Sequence, residues 1–497
     1  LVIFVGAALR FYDLGAESFW HDEIYTLRLA LDGPGAVIDA FVRDGSPPLH
    51  ADLMSPWIGL LGRTEFAARS LSVFASVASL ALMFALGREL FGRRVGLLSA
   101  TLMALSDFQI WYAQEARYYA LFLLLSLLSW RLYARSIKSQ RLFNLGSYVL
   151  ITVLMCYTHH GGFFLLVAQT VHFLSALLHS SAKSRHTVTS SRILALALAY
   201  GLVAPLLIMT VRGTQSAIFG ASVTMSDLGI RALLLTPLRY AAGEYPDWSV
   251  VAGAAVFLAI GIGLFALRIG EDAWCVSVRR LRSSLKRCRA PDGKLRLAAI
   301  WLLGPILMQW SASRLFGQMY IYRHTIAASP AFYMLVSIGL VTVGNMVPEP
   351  LLIGTILILA APGLWTYYDC DMREDWRSAA AYVQQHVRQS DSVIVPTSAL
   401  GLDDLRWYYK GRVQECSSPA ILGDQGAILD AAKACADDSD RLWLVLRETF
   451  VPGRELSESV WRTAGLRLIE RQTFKGVLIY LFEVAEETSK LPLHRMR

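Results

Sequence analysis

Four short stretches combine acids, arginines or histidines with aromatic residues at the edges of long apolar runs. The first reads Phe19-Trp20-His21-Asp22-Glu23-Ile24-Tyr25. A carboxylate at a membrane edge can take a proton from an incoming hydroxyl or amine, general-base chemistry that contributes typically about 10² to 10⁴-fold to a rate. The same acids, Asp22 and Glu23, equally suit the first turn of an interfacial helix over Ile24 to Leu31, where the helix dipole favours negative charge. The second stretch runs from Tyr112 to Tyr119 and contains Gln114-Glu115-Ala116-Arg117. A guanidinium at Arg117 can grip a lipid-borne phosphate through paired N–H donors, with Glu115 orienting it or a sugar hydroxyl. Alternatively Glu115 caps a helix and Arg117 reaches along apolar surface to water. His21 and Tyr118 are further candidates for lining a cavity.

The third stretch is Tyr157-Thr158-His159-His160-Gly161-Gly162. Adjacent helical residues diverge by about 100°, so the two histidines make a poor metal pair. His159 is better suited to bond a phosphate or hydroxyl, or to sit as an ordinary interfacial residue. The fourth is Tyr320-Ile321-Tyr322-Arg323-His324, which supplies Arg323. No CxxC or HExxH spacing occurs, so no metal site is expected from motif.

These groups must be carried by elements that the composition already constrains. Of the 497 residues, 55% are hydrophobic and only 17% charged, and mean hydropathy is +0.43. A soluble multidomain enzyme is excluded, because a globular surface needs nearer about 25% charge. A membrane helix needs roughly 20 apolar residues. Such runs recur near 66–87, 95–112, 118–136, 145–160, 161–179, 193–211, 249–267, 297–313, 325–346 and 350–367. Residues 1–12 read as the end of one further span whose beginning precedes Leu1, giving about eleven. The expected fold is mostly α, a polytopic transmembrane helical bundle over residues 1–367, with a first outer loop at 13–64.

Orientation follows from basic residues between spans. One alternating set of loops holds Arg88, Arg93 and Arg94, then Arg131, Arg135, Lys138 and Arg141, then Lys183, Arg185 and Arg192, and finally a cluster from Arg268 to Arg296. The opposite set, 13–64, 113–117, 212–248 and 314–324, is longer yet carries about half as many. The net charge of +8 thus sets topology and argues against nucleic acid. All four polar stretches then fall on the outer face, which suits one outward cavity.

Residues 368–497 are richer in charge, and their apolar runs shorten to strand length. Ser392 to Val395, Arg441 to Leu446 and Gly476 to Val484 read as strands; Glu374 to Val387, Ile421 to Ala436 and Leu456 to Ala464 read as helices. A small extracytoplasmic α/β domain is expected. There Cys416 and Cys435 either pair, closing a loop worth about 3 kcal/mol, or stay free thiols.

At these motifs the sequence resembles the membrane glycosyltransferases of GT-C architecture, and within them glycosyltransferase family 39, which includes protein O-mannosyltransferases and the lipid A aminoarabinose transferase. The resemblance rests on Asp22-Glu23 after the first span, Pro47-Pro48-Leu49, Tyr112 through Tyr119, Tyr157-Thr158-His159, an arginine before the 350–367 span, and Glu374-Asp375-Trp376-Arg377. Ser46 stands where many relatives have His, Asp107 where Pro is common, and Tyr322-Arg323-His324 only approximates the usual Arg-Tyr. The resemblance implies an inverting transfer from a polyprenyl-phosphate sugar donor to a lipid, glycan or protein acceptor on the outer face. It makes Asp22 the base, Glu23 its support, and Arg117, Arg323 and His159 the ligands of the donor phosphate. It demands no cofactor, although a divalent metal is compatible. The expected setting is a bacterial inner (plasma) membrane. A transporter or lipid flippase is the alternative, but it predicts half-to-half symmetry and broken helices at mid-membrane. Neither is visible here. A third reading, a non-catalytic membrane subunit with an outer binding domain, predicts that these polar residues point to separate surfaces.

Overall fold

The computed structural model describes residues 1–136, 141–178, 182–218, 229–243, 292–316, 320–344, 349–370, 373–396, 401–416, 425–426, 429–430, 439, 441–448, 456, 458–463 and 466–484. These form two compact units. One comprises Leu1–Leu14 and Leu29–Cys370, the other Gly15–Arg28 and Asp371–Arg497. The boundary therefore falls inside helix α2 (His21–Asp32), and the acidic stretch clusters with the C-terminal residues rather than with the spans.

The first unit is helical. After α1 (Val2–Phe11) come α3 (Pro34–Asp44), α4 (Leu49–Leu61), α5 (Glu65–Phe91), α6 (Arg93–Leu105), α7 (Asp107–Ala113), α8 (Tyr119–Ser136), α9 (Leu142–Thr158) and α10 (Gly161–Leu178). Helices Ala182–Ile218, Ile230–Ala242, Asp292–Phe316, Ser329–Gly344 and Glu349–Asp369 follow. Among the described residues, Glu65–Phe91, Gly161–Leu178, Ser190–Arg212, Gly293–Leu315 and Tyr322–Val341 are long and apolar enough to cross a membrane. The run expected at 249–267 lies outside the described residues.

Helix α5 packs against α1, α6 and α8. Its junction with α6 is made by glycine. Gly92 adopts φ +101°, a conformation costly for other residues. Beyond it, a Cβ on Gly96 would lie 2.6 Å from backbone atoms of Phe84 and Arg88, so the two helices touch main chain to main chain. Arg10 pins the same trio. Its buried guanidinium donates to Ser76 Oγ at 2.7 Å, to the Gly6 and Ala104 carbonyls at 3.0 Å and to the Met103 carbonyl at 3.1 Å. Multiple acceptors make a buried charge tolerable.

The run expected as one span at 95–112 is instead two helices. Ser106 leaves the helical region (φ −70°, ψ 119°) and its hydroxyl accepts from Gln109 N at 3.3 Å, starting α7 with a side-chain cap. Asp107 follows as the first helical residue, a position suited both to an acid and to proline, which accounts for their interchange there. The outer loop likewise differs from expectation. The helix read over Ile24 to Leu31 is present as α2, with Asp22 and Glu23 in its first turn, and α3 and α4 follow it unforeseen.

The second unit is built on a mixed sheet ordered β2-β1-β3-β5-β4. Its strands are β1 (Asp391–Pro396), β2 (Gln414–Cys416), β3 (Arg441–Arg447), β4 (Leu466–Phe474) and β5 (Val477–Val484). β1 runs parallel to β2 and β3, and β5 antiparallel to β3 and β4. Strand alternation splits the central strands between two cores. Leu442, Leu444, Leu446, Leu478, Tyr480 and Phe482 fill one face, while Trp443, Val445, Ile479 and Leu481 fill the other with Trp376, Ala380 and Val383 of helix Trp376–His386. Burial on both faces explains the nearly continuous apolar runs of β3 and β5. The helix expected at 421–436 falls largely outside the described residues, as does Cys435 of the proposed disulfide.

Candidate active site

The polar residues of the first unit gather around the turn between α7 and α8. Gln114, Glu115, Ala116 and Arg117 are all buried, although the turn forms no regular structure. Buried backbone and polar side chains need partners, and here they have them. Gln114 Nε2 donates to the Arg10 and Tyr12 carbonyls at 3.1 and 2.8 Å, and Tyr367 donates to its Oε1 at 2.6 Å. Trp111 Nε1 donates to Glu115 Oε1 at 2.7 Å, and Ser72 Oγ to the Arg117 carbonyl at 3.2 Å. The turn is a rigid support for the side chain it presents. That side chain is Arg117, whose guanidinium lies 4.5 Å from the Tyr118 ring centroid and donates to the Tyr118 hydroxyl at 3.1 Å.

His159 is the C-cap of α9 and nearly fully buried. Its ring lies 4.8 Å from Tyr118, 4.7 Å from Phe122 and 5.0 Å from His324, centroid to centroid. Gly161 N–H donates to His159 Nδ1 at 2.9 Å, which leaves Nε2 of the neutral ring to carry the proton. The close approach requires glycine: a Cβ on Gly161 would sit 2.9 Å from His159 Nδ1 and 3.0 Å from the His324 carbonyl. Arg323 sits in the 3-10 turn Tyr322–Ala328, half-buried. Both Arg117 and Arg323 are close enough to act electrostatically on Tyr119 and on His159.

Glu115, Arg117, Tyr118, His159 and Arg323 thus form one group, joined by Tyr119 and His324. Asp22, the fourth of the residues expected to converge with Glu115, Arg117 and Arg323, belongs to the second unit. His50, Tyr119 and His324 were missed by sequence reasoning. His324 adjoins a chosen arginine and Tyr119 a chosen tyrosine, so proximity in the chain was the only signal. His50 offered none beyond standing two residues after a proline pair.

The remaining candidates belong to the second unit, where the acidic pair divides. Glu23 is fully buried and its Oε2 accepts from Trp20 N at 3.3 Å, reaching back across the first turn of α2 as in a capping box. Asp22 beside it is half-buried. His21 Nδ1 meets the buried Asp404 carboxylate at 3.1 and 3.2 Å. This hydrogen bond raises the His21 pKa against the opposing effect of burial. Burial in turn raises that of Asp404, its bond to His21 acting the other way.

The Glu374-Asp375-Trp376-Arg377 stretch is scaffold. Asp375 caps its helix by accepting from Ser378 N at 3.0 Å, Trp376 Nε1 donates to Glu374 at 2.8 Å, and Arg377 donates to the Ala16 carbonyl at 3.1 Å. Arg373 pairs with Glu17 at 2.7 Å. Among the described residues no group of three or more His, Cys, Asp or Glu side chains is arranged to hold a metal ion.

Residues 45–209 match the family model described as dolichyl-phosphate-mannose-protein mannosyltransferase. The structure resembles ArnT from Cupriavidus metallidurans bound to undecaprenyl phosphate, with a TM-score of 0.56 and 11% identity over 98% of both chains. It also resembles the archaeal oligosaccharyltransferase AglB from Archaeoglobus fulgidus in complex with an inhibitory peptide and a dolichol-phosphate. That TM-score is 0.54 at 10% identity, covering 99% of this chain and 74% of the other. No curated protein matches the chain. The fold is that of the GT-C glycosyltransferases, carried by an integral membrane protein.

Proposed function

We propose that this chain is an inverting glycosyltransferase that takes a sugar from a polyprenyl-phosphate donor and delivers it to an acceptor at the outer face of a bacterial inner membrane. The observation that carries the reading is the convergence of Arg117 and Arg323 on Tyr119 and His159 in the first unit. Two guanidiniums around one aromatic and imidazole cluster suit a phosphodiester whose lipid tail enters the bilayer. In the reaction the bond between anomeric carbon and phosphate oxygen breaks as the acceptor oxygen or nitrogen bonds to the same carbon from the opposite side. Negative charge grows on the departing lipid phosphate, and Arg117 and Arg323 stabilise it there. Such preorganised electrostatic stabilisation is usually the largest catalytic contribution. His159, with Nε2–H available, donates a further hydrogen bond to donor oxygen. Asp22 takes the acceptor's proton. Glu115 holds the turn that presents Arg117, and residues 368–497 lie on the outer side.

The similar structures support a lipid-phosphate donor, since they hold undecaprenyl phosphate and dolichol-phosphate. The test is transfer by the purified full-length protein from a set of undecaprenyl-phosphate sugars, paired with mass spectrometry of glycolipids and envelope glycans in a deletion strain. The expected result is an accumulated polyprenyl-phosphate sugar and one missing product sugar. No accumulated donor and no missing sugar would sink the proposal. A transporter would instead move its lipid across vesicles with the glycosidic bond intact.

A further inference from the structure

His50, the second residue of α4, is 2% exposed, and neither of its ring nitrogens has a hydrogen-bond partner. The Tyr119 hydroxyl, in a residue 1% exposed, is in the same position. Buried polar side chains without partners are rare, and each asks for an explanation. Both rings border Tyr118. His50 meets it edge to face with centroids 6.4 Å apart, and Tyr119 lies 4.7 Å from it. Tyr118 itself is half-exposed.

Burial, and then the charge of Arg117, pushes the His50 pKa down to about 3. The ring is therefore neutral at physiological pH and offers one donor and one acceptor. A hydroxyl, which both donates and accepts, can satisfy both ring nitrogens, whereas an ionised phosphodiester, which only accepts, can satisfy one. We infer that His50, packed edge to face against Tyr118, is a hydroxyl-binding subsite for the donor's sugar ring. The inference rests on the lipid-phosphate reading above. Arg117 stacks on the Tyr118 ring and bonds its hydroxyl.

The test uses the full-length protein in detergent and compares binding of bare undecaprenyl phosphate with a panel of undecaprenyl phosphates bearing one neutral hexose or pentose. Wild type is expected to bind at least one sugar-bearing lipid about three- to tenfold more tightly than the bare lipid, the range of one net hydrogen bond between uncharged groups. His50→Phe, which keeps a ring but no polar atom, removes that increment and leaves bare-lipid affinity unchanged. His50→Gln, with a donor and an acceptor, restores most of it. Arg117→Ala weakens both lipids. Should His50→Phe fail to fold, wild type must show the same loss with one deoxy-sugar lipid. Equal affinity of His50→Phe and wild type for the sugar-bearing lipid overturns the subsite, as does a panel with no member above the bare lipid or equal affinity for every deoxy analogue. Failure of wild type to bind even the bare lipid overturns the donor reading instead.

Discussion

Two adjacent carboxylates on α2 are expected to respond very differently to losing their charge. Asp22 is half-buried, and its carbonyl, not its carboxylate, receives the bond from Thr26 Oγ1 at 3.1 Å. Asp22→Asn keeps a side chain of the same size and removes its favourable charge interaction with the helix N-terminus, about 0.3–1 kcal/mol. If Asp22 is the base, transfer falls about 10² to 10⁴-fold. Glu23 is fully buried and accepts from Trp20 N at 3.3 Å. Glu23→Gln keeps an oxygen of the same reach, so both stability and transfer are expected to stay within roughly 1 kcal/mol of wild type. Glu23→Ala loses the cap as well as packing volume and is expected to cost about 2 kcal/mol. The assay pairs initial transfer rates from an undecaprenyl-phosphate sugar with thermal unfolding of the same preparations. Full activity in Asp22→Asn refutes the base. A Glu23→Gln protein that unfolds normally yet transfers as poorly as Asp22→Asn refutes the assignment of Glu23 to capping.

Gly161→Ala forces a Cβ to within 2.9 Å of His159 Nδ1; the turn must shift, and transfer is expected to fall at least about tenfold with roughly 1–3 kcal/mol of destabilisation by overpacking. Transfer rates and unfolding midpoints check this together. Gly96→Ala places a Cβ 2.6 Å from the Phe84 carbonyl oxygen; it is expected to lower the unfolding midpoint by a similar free energy, while donor affinity in the preparation that remains folded is unchanged. The His21–Asp404 contact gives a pH dependence. His21 has its pKa raised first by its hydrogen bond to Asp404, and Asp404 has its own raised by burial. Both groups hold a proton more tightly when folded than when unfolded. Stability from His21 is thus complete below its unfolded pKa of about 6.5 and is lost as pH rises through the higher folded value. The stability that His21 contributes, read as the difference in unfolding midpoint between wild type and His21→Gln, should shrink from pH 6 to pH 8; a difference that does not change with pH contradicts the pairing.

Much of this architecture is written in apolar run lengths. The spans read at 66–87, 118–136 and 161–179 correspond to α5, α8 and α10, because a long apolar stretch has few other ways to satisfy its backbone in lipid. β3 and β5 were legible for a related reason, since burial on both faces leaves no polar position to interrupt the run. β4, Leu-Arg-Leu-Ile-Glu-Arg-Gln-Thr-Phe, was not legible: it is an edge strand whose exposed positions are Arg467, Ile469, Arg471 and Thr473, so its apolar run is broken, and what places it is the two-residue turn Lys475–Gly476, with Gly476 at φ +69°. The break at Ser106 was hidden because one serine in an apolar run signals a cap only when its neighbours leave room for it.

The site was legible in type more than in role, and the reason is that charge alone does not separate scaffold from function. Arg10 and Arg117 are both buried arginines near ends of helices. Arg10 spends its donors on three carbonyls and a hydroxyl fixed by three helices, an arrangement no ligand can enter without unfolding the bundle. Arg117 lies against the π face of Tyr118, a half-exposed ring on the same short turn. An aromatic face stabilises a guanidinium by only about 0.5–2 kcal/mol, less than a charge-assisted, bidentate contact with phosphate supplies. The contacts differ in kind: main-chain carbonyls for Arg10, an aromatic face and a hydroxyl for Arg117. The same comparison can be made directly: Arg10→Lys is expected to lower thermal stability, its single ammonium being unable to span all four acceptors, while Arg117→Lys is expected to leave stability near wild type and weaken binding of bare undecaprenyl phosphate. If Arg117→Lys instead unfolds early and binds the lipid normally, Arg117 is scaffold too, and the phosphate must be sought at Arg323 alone.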